Sequence, residues 1–224
     1  MISARGLVKT FDTGVEQVHA VSSVDLEVGE GEFVCLYGAS GSGKSTLLAL
    51  VGGLLSPDQG EVSVGGRSLV GMSEDARADL RLETVGMVFQ GDNVIMELTA
   101  AENVMLPLLA RQIPPLQART EALAALEPVG IADLADRSPR EMSGGQRQRV
   151  GIARALVGDR RILLADEPTG ALDSVTSREL FTLIRRLCDE RGCTALVATH
   201  DPLGHDHAGR VMSMIDGKID EGNA

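Results

Sequence analysis

The chain is short of positive charge. Its 224 residues carry 21 Lys and Arg against 32 Asp and Glu, a formal net charge of −11 at pH 7. A protein that tracks nucleic acid neutralises phosphates with a basic face, and this balance argues against such a partner. Long apolar runs are missing too. The longest, around Leu47 to Leu55 and Val104 to Ala110, fall well below the ~18 residues of a membrane helix. Met1-Ile2-Ser3-Ala4-Arg5-Gly6 leads into a brief strand-like run and not into the apolar stretch of a signal peptide. These absences predict a protein that is soluble by itself and cytoplasmic. Cysteine is sparse: Cys35, Cys188 and Cys193 have no zinc-like spacing and read as reduced structural thiols. His205 and His207 lack Cys or carboxylate partners at ligand spacing and read as solvent-facing. With no repeat and no low-complexity linker, residues 1–224 are taken as one domain with subdomains.

What is present begins with a glycine-rich loop. Gly38-Ala39-Ser40-Gly41-Ser42-Gly43-Lys44-Ser45-Thr46 follows the apolar run Phe33-Val34-Cys35-Leu36-Tyr37 and leads into Leu47-Leu48-Ala49-Leu50-Val51. That succession predicts strand, loop, helix, and the loop matches G-x-x-x-x-G-K-[ST] at every fixed position. The glycines allow successive backbone N–H groups to turn toward phosphate oxygens, and the helix N-terminus adds positive potential. Lys44 supplies a cation for the β and γ phosphates, and the Ser45 hydroxyl a hard oxygen for Mg²⁺. The chain is therefore expected to bind a nucleoside triphosphate.

Around this loop, alternating residues 2–8 and 18–28 predict strands of a half-exposed sheet, followed by a strand at 61–64. Ser73-Glu74-Asp75-Ala76 predicts a short helix with an acidic first turn, and Val85 to Phe89 a buried strand that ends on Gln90. From about Gly91 to Arg140 the texture turns Leu- and Ala-rich, with helices expected over 99–109 and 116–126 around the breaker Ile113-Pro114-Pro115. This contrast marks an inserted helical subdomain. Strand and helix then alternate over 161–165, 174–190, 194–199, 211–215 and 218–220, as in an α/β protein with a mostly parallel sheet.

Two further segments carry chemistry. Ile162-Leu163-Leu164-Ala165 ends in Asp166-Glu167, whose side chains leave a strand on opposite sides and so can take different roles. Asp166 is assigned to the metal, through water, and Glu167 to polarising the attacking water as general base. Ser143-Gly144-Gly145-Gln146 opens another helix with an N-cap serine and exposed N–H groups. By itself it reads as a capped helix start. Next to a separate phosphate loop, it could instead serve a nucleotide held by another chain.

Taken in order, Gly38 to Thr46, Gln90, Ser143 to Gln146, Asp166-Glu167, Ala171-Leu172-Asp173 and His200 resemble the nucleotide-binding domain of ATP-binding cassette (ABC) proteins, over nearly the whole chain. The resemblance implies a P-loop NTPase (RecA-like) core with an antiparallel β subdomain, about 1–90 and 158–224, and an inserted α-helical subdomain, about 91–157. It implies an ATPase using ATP and Mg²⁺ in a head-to-tail dimer, where Gly38 to Thr46 of one subunit and Ser143 to Gln146 of the other enclose each nucleotide. By the same resemblance Gln90 touches Mg²⁺ and the attacking water, Asp173 couples the two sites, His200 contacts the γ phosphate, and Phe11 stacks on adenine. Met142 stands where the family usually has Leu, an exchange that conserves volume.

Within the family, Leu98-Thr99-Ala100-Ala101-Glu102-Asn103-Val104 and Asp166 to Ser174 resemble the lipoprotein-release and macrolide-export ATPases of the LolD and MacB types. That implies a second copy or a similar ATPase subunit, and a separate integral membrane permease with an extracytoplasmic domain, which would hold this subunit on the inner face of the cell membrane. The permease would dock along Gly91 to Leu109, although the apolar residues there equally fit packing between subdomains. An ATPase regulating a cell-division or cell-wall-hydrolase complex differs only in its partner and stays open. DNA-repair relatives would need a long coiled-coil insertion between Lys44 and Ser143, and none is present.

Overall fold

The structure, a computed structural model, describes residues 1–89, 91 and 94–220. Gln90, expected at the end of a strand, lies outside the described residues. Ile2–Asp12 (β1) pairs antiparallel with Gln17–Val28 (β2) on one side and Gln59–Val64 (β4) on the other, and Arg67–Ser68 (β5) extends the edge. The first strand outruns the expected 2–8. Register shifts at Ala4/Leu7 and Leu7/Lys9, beside Gly6 at φ 57°, break the alternation of its side chains while the ladder continues.

The second sheet has six strands in the order β10-β9-β3-β8-β7-β6, formed by Lys218–Asp220, Arg210–Ile215, Phe33–Tyr37, Thr194–Thr199, Ile162–Asp166 and Val85–Val88. All neighbours are parallel except the last hairpin, β9 with β10. Both faces are covered, and the strands show it residue by residue. Phe33, Leu163, Ala165, Ala195 and Val197 join one buried cluster, whereas Val34, Leu36, Ile162, Leu164, Leu196 and Ala198 join the other. This is period-two alternation between two apolar layers, and it explains why these strands read as continuous hydrophobic runs. Lys44–Val51 (α1) and the antiparallel sheet fill one layer. The opposite layer holds Ala100–Ala110 (α3), Pro115–Leu126 (α4), Gly144–Leu156 (α5) and Ser174–Arg191 (α6).

The short helix expected to open at Ser73-Glu74-Asp75-Ala76 runs over Glu74–Thr84 (α2), with Ser73 as its N-cap. Its only buried residue is Leu80, so hydrophobic periodicity could not reveal its length. Polar contacts hold it: Ser73 caps Ala76 N, Glu74 pairs with Arg77 at 2.8 Å and Arg81 at 3.3 Å, and Arg81 donates to Gly53 O at 2.6 Å. His205 is exposed as expected and meets Tyr37 edge-on at 4.7 Å. His207 is not fully solvent-facing: it is half-buried and stacked at 6.2 Å on Phe181.

The segment that enters α3 is pinned by one buried amide. Asn103 is 0% exposed; its Nδ2 donates to the carbonyls of Ile95 (2.9 Å), Thr99 (3.0 Å) and Leu98 (3.3 Å), and its Oδ1 accepts from Ile95 N at 2.7 Å. Thr99 and Glu102 add a reciprocal capping box. Asn103→Leu leaves the Ile95 N–H without its acceptor and the Ile95, Leu98 and Thr99 carbonyls without the amide donor, and should lower stability by roughly 1–3 kcal/mol. The midpoint of urea unfolding measures the loss, and a midpoint equal to the parent's would refute this role.

Candidate nucleotide site

The phosphate loop is shaped by neighbours that leave no room for side chains. A Cβ on Gly43 (φ 105°) would fall 2.1 Å from Ala20 O on β2, and one on Gly38 would fall 2.4 Å from Met214 O on β9. Both positions therefore require glycine, one for its backbone angle as well as its size. The turn Asp216-Gly217 between β9 and β10 closes the arrangement, since Gly217 N donates to Ser42 O (2.9 Å) and Ser22 N donates to Gly217 O (2.8 Å). Together these elements bound a cavity of about 660 Å³, lined by Phe11, Val18, Ser40 to Thr46, Glu167, His200 and Asp216 among others.

Of the residues singled out in the sequence, Ser40, Gly41, Ser42, Gly43, Lys44, Ser45, Thr46, Phe11, Glu167 and His200 meet around this one space. Phe11 is directly opposite Val18 in the β1–β2 ladder, and both line the cavity as apolar side chains. Val18 and Asp216-Gly217 were not legible as site residues, because only the strand pairing and the final hairpin carry them there.

Lys44 is buried and its Nζ donates to the carbonyls of Gly38 (2.7 Å) and Ala39 (3.1 Å), at 3.5 Å from Glu167 Oε1. The other carboxylate oxygen, Oε2, takes His200 Nδ1 at 2.9 Å and His200 N–H at 3.3 Å. Glu167 adopts φ 47°, a left-handed backbone unusual for its type, and its N–H donates to Ala198 O at 2.8 Å. Strain of this kind, on the order of 1–3 kcal/mol, concentrates where a side chain must be aimed. It carries Glu167 out of the strand's alternation and over the phosphate loop.

Asp166 lies deeper. Burial pushes its carboxyl above the ordinary 3.8 and the Glu167 charge adds to this, while the Ser45 hydroxyl and Lys44 oppose it. Its Oδ1 is buried without a hydrogen-bond partner, as is the Ser42 hydroxyl. A hard carboxylate oxygen with an unmet acceptor, beside a serine hydroxyl at the start of α1, is a donor set that fits Mg²⁺.

The second group of residues stands apart from this cavity. Ser143 and Gln146 form a reciprocal capping box, Ser143 Oγ accepting from Gln146 N at 3.3 Å and Gln146 Oε1 from Ser143 N at 2.9 Å. Gly144 and Gly145 pack on the turn that starts α6: Cβ atoms there would lie 3.2 Å from Leu172 Cδ2 and 2.4 Å from Thr176 Cγ2. Asp173 caps that helix through Val175 N and Thr176 N, both at 3.0 Å. None of these residues lines the phosphate cavity.

The ABC transporter family matches residues 21–170, more than half of the chain. The chain belongs to the ABC transporter family. The LolD ATP-binding protein of a lipoprotein-releasing system in Syntrophotalea carbinolica is 42% identical over 98% of this chain and 96% of its own length. The macrolide export ATP-binding/permease protein MacB 1/2 of Paracoccus denitrificans is also 42% identical over 98% of this chain, but the match spans only 33% of that protein. This chain thus corresponds to about a third of the macrolide-export relative. Among solved structures, the dimeric post-hydrolysis state of the ATP-binding cassette MJ0796 bound to ADP and Pi shares 38% identity at TM-score 0.88, covering 98% of this chain and 97% of that one. The two-sheet architecture described above is the ABC ATPase fold.

Asp166 yields a pH-dependent expectation for the metal- and nucleotide-free protein. Because its folded value is raised, the folded chain holds that proton longer than the unfolded chain, and stability falls as pH climbs from 3.8 through the raised value. Asp166→Asn should lose this component, so its stability relative to the parent grows across that window and then levels off. Parallel urea titrations from acid to neutral pH measure it; a constant difference would contradict the assignment.

Proposed function

We propose that the protein is the ATP-hydrolysing subunit of a LolD/MacB-type system, working as a head-to-tail dimer that drives a separate membrane permease with an extracytoplasmic domain. The observation that carries this is the Glu167 carboxylate held between Lys44 and His200 at the mouth of the phosphate loop. A general base must be aimed at the water beyond the terminal phosphate, and Glu167 is fixed from both sides beside the cavity where that water would stand. Lys44 has a mobile ammonium that can leave the Gly38 and Ala39 carbonyls for phosphate oxygens. His200 orients Glu167 and offers its other ring nitrogen to the γ phosphate. Asp166 and Ser45 would hold Mg²⁺, which neutralises charge on the β and γ oxygens when bound. Gln90 is assigned to the metal and attacking water on resemblance alone, and residues 91–157 to a helical subdomain that moves with it.

The separation of the two groups of residues supports the dimer. Ser143 Oγ accepts within its own capping box, which leaves its hydrogen and the N–H groups of Gly144 and Gly145 to meet a nucleotide held by the partner. The LolD relative is of this chain's length and the cassette neighbour is dimeric, both of which support a stand-alone subunit that pairs. No described helix is long and apolar enough to cross a membrane; in the proposed arrangement a permease would hold this subunit on the cytoplasmic face.

Glu167→Gln should reduce turnover by about 10²- to 10⁴-fold while ATP still binds. Phosphate release and isothermal calorimetry read the two quantities, and parental turnover would remove Glu167 from its role. Lys44→Ala should weaken ATP binding roughly tenfold or more. For the docking surface, shortening Val94, Ile95 and Leu98 to Ala should reduce co-purification with the permease from detergent-solubilised membranes more than it reduces ATP binding. The reverse pattern would place docking elsewhere.

A further inference from the structure

Helix α6 ends on Gly192, left-handed at φ 64°, whose N–H donates to Cys188 O at 3.1 Å, and Cys193 N–H reaches Leu187 O at 3.4 Å. A helix ended by such a glycine brings the next side chain onto its last turn. Here those side chains are Cys193 and Cys188, each 3% exposed and packed in the same buried cluster, with the Cys193 thiol donating to Thr194 O at 3.8 Å. In most caps the contact is merely apolar. This one opens on a space: Cys193, Ala153, Leu156, Arg160, Arg161 and Arg191 line part of a cavity of about 140 Å³. One water needs on the order of 10–15 Å³ of such room, so a molecule the size of hydrogen peroxide fits. Arg160 donates to Val157 O (3.3 Å) and Arg154 O (2.6 Å), and none of the described ion pairs occupies Arg160, Arg161 or Arg191.

We propose that Cys188 and Cys193 form an oxidisable dithiol, converted to an intramolecular disulfide by a hydroperoxide that enters the arginine-lined cavity. Cys193, the sulfur at the cavity wall, attacks one peroxide oxygen; the O–O bond breaks and an S–O bond forms. With hydrogen peroxide the thiol proton leaves with the departing hydroxide as water, and Cys193 becomes a sulfenic acid. The Cys188 thiol then displaces that oxygen, forming the S–S bond and releasing a second water. The sulfurs lose two electrons and the peroxide gains them. The two thiols titrate together: the Cys193 thiol and the nearby Arg185 lower Cys188, while the Cys188 thiol and burial raise Cys193, so the pair gives up one proton before the other and then holds a single negative charge. The arginines stabilise that charge and the departing hydroxide. Cys35 has no such neighbour: burial, then the charges of Asp201 and Glu167, push its thiol up to about 12.

The test uses the whole folded chain, reduced and freed of reductant. It is treated with hydrogen peroxide, quenched with catalase, denatured, labelled with N-ethylmaleimide and weighed intact and as peptides. Reactive thiols should fall from three to one, so that one maleimide is taken up in place of three and the mass less the label is lower by two hydrogens, with a linked Cys188–Cys193 peptide and full reversal by dithiothreitol. Cys188→Ser should leave a sulfenic acid at Cys193 that dimedone captures. Three thiols surviving in a chain of native circular dichroism, stable over-oxidation of one sulfur, or linkage through Cys35 or between chains would overturn the proposal.

Discussion

Two carboxylates at the end of one buried strand would repel each other, and what makes their adjacency tolerable is Lys44. Its ammonium lies 3.5 Å from Glu167 and also opposes the upward push on Asp166. The cation comes from the first residue of α1, so strand, loop and helix must all be in register for it to arrive. Glu167 departs from the strand direction through its left-handed backbone while Asp166 stays within it. One carboxylate is thereby turned to the cavity mouth and the other kept beside Ser45, a division of labour imposed by backbone geometry.

The rest of the molecule keeps that geometry stiff. Strands β3, β7 and β8 are buried on both faces, and each carries a candidate site segment at the C-terminal end: the phosphate loop after Tyr37, Asp166-Glu167 after Ala165, His200 after Thr199. Parallel pairing sets those ends side by side, and the two apolar layers fix the sheet against sliding. Helix α5 is arranged differently. Its N-terminus packs on the start of α6 and does not line the nucleotide cavity.

The sequence made legible whatever depends on a local pattern. The phosphate loop, the acidic strand end and the capped start at Ser143 each combine residue type with spacing, and each falls where the pattern placed it. The apolar core strands were equally plain. Features created by distant pairing were not legible. Val18 enters the site because it sits across from Phe11, and Asp216-Gly217 because the last hairpin folds onto the loop. The extent of α2 was hidden because ion pairs, not an apolar stripe, hold it. Asn103 looked like an ordinary helix residue, since nothing local announces that its amide spans the whole approach from Ile95 to Thr99.

The turn at Gly217 has a consequence for how the protein is made. It is hydrogen-bonded to both Ser42 and Ser22, yet the ribosome delivers it long after those residues have emerged. A nascent chain that has completed β1 to β8 therefore still lacks the clasp on its triphosphate pocket. The loop takes its final shape only once β9 and β10 have emerged and folded onto it.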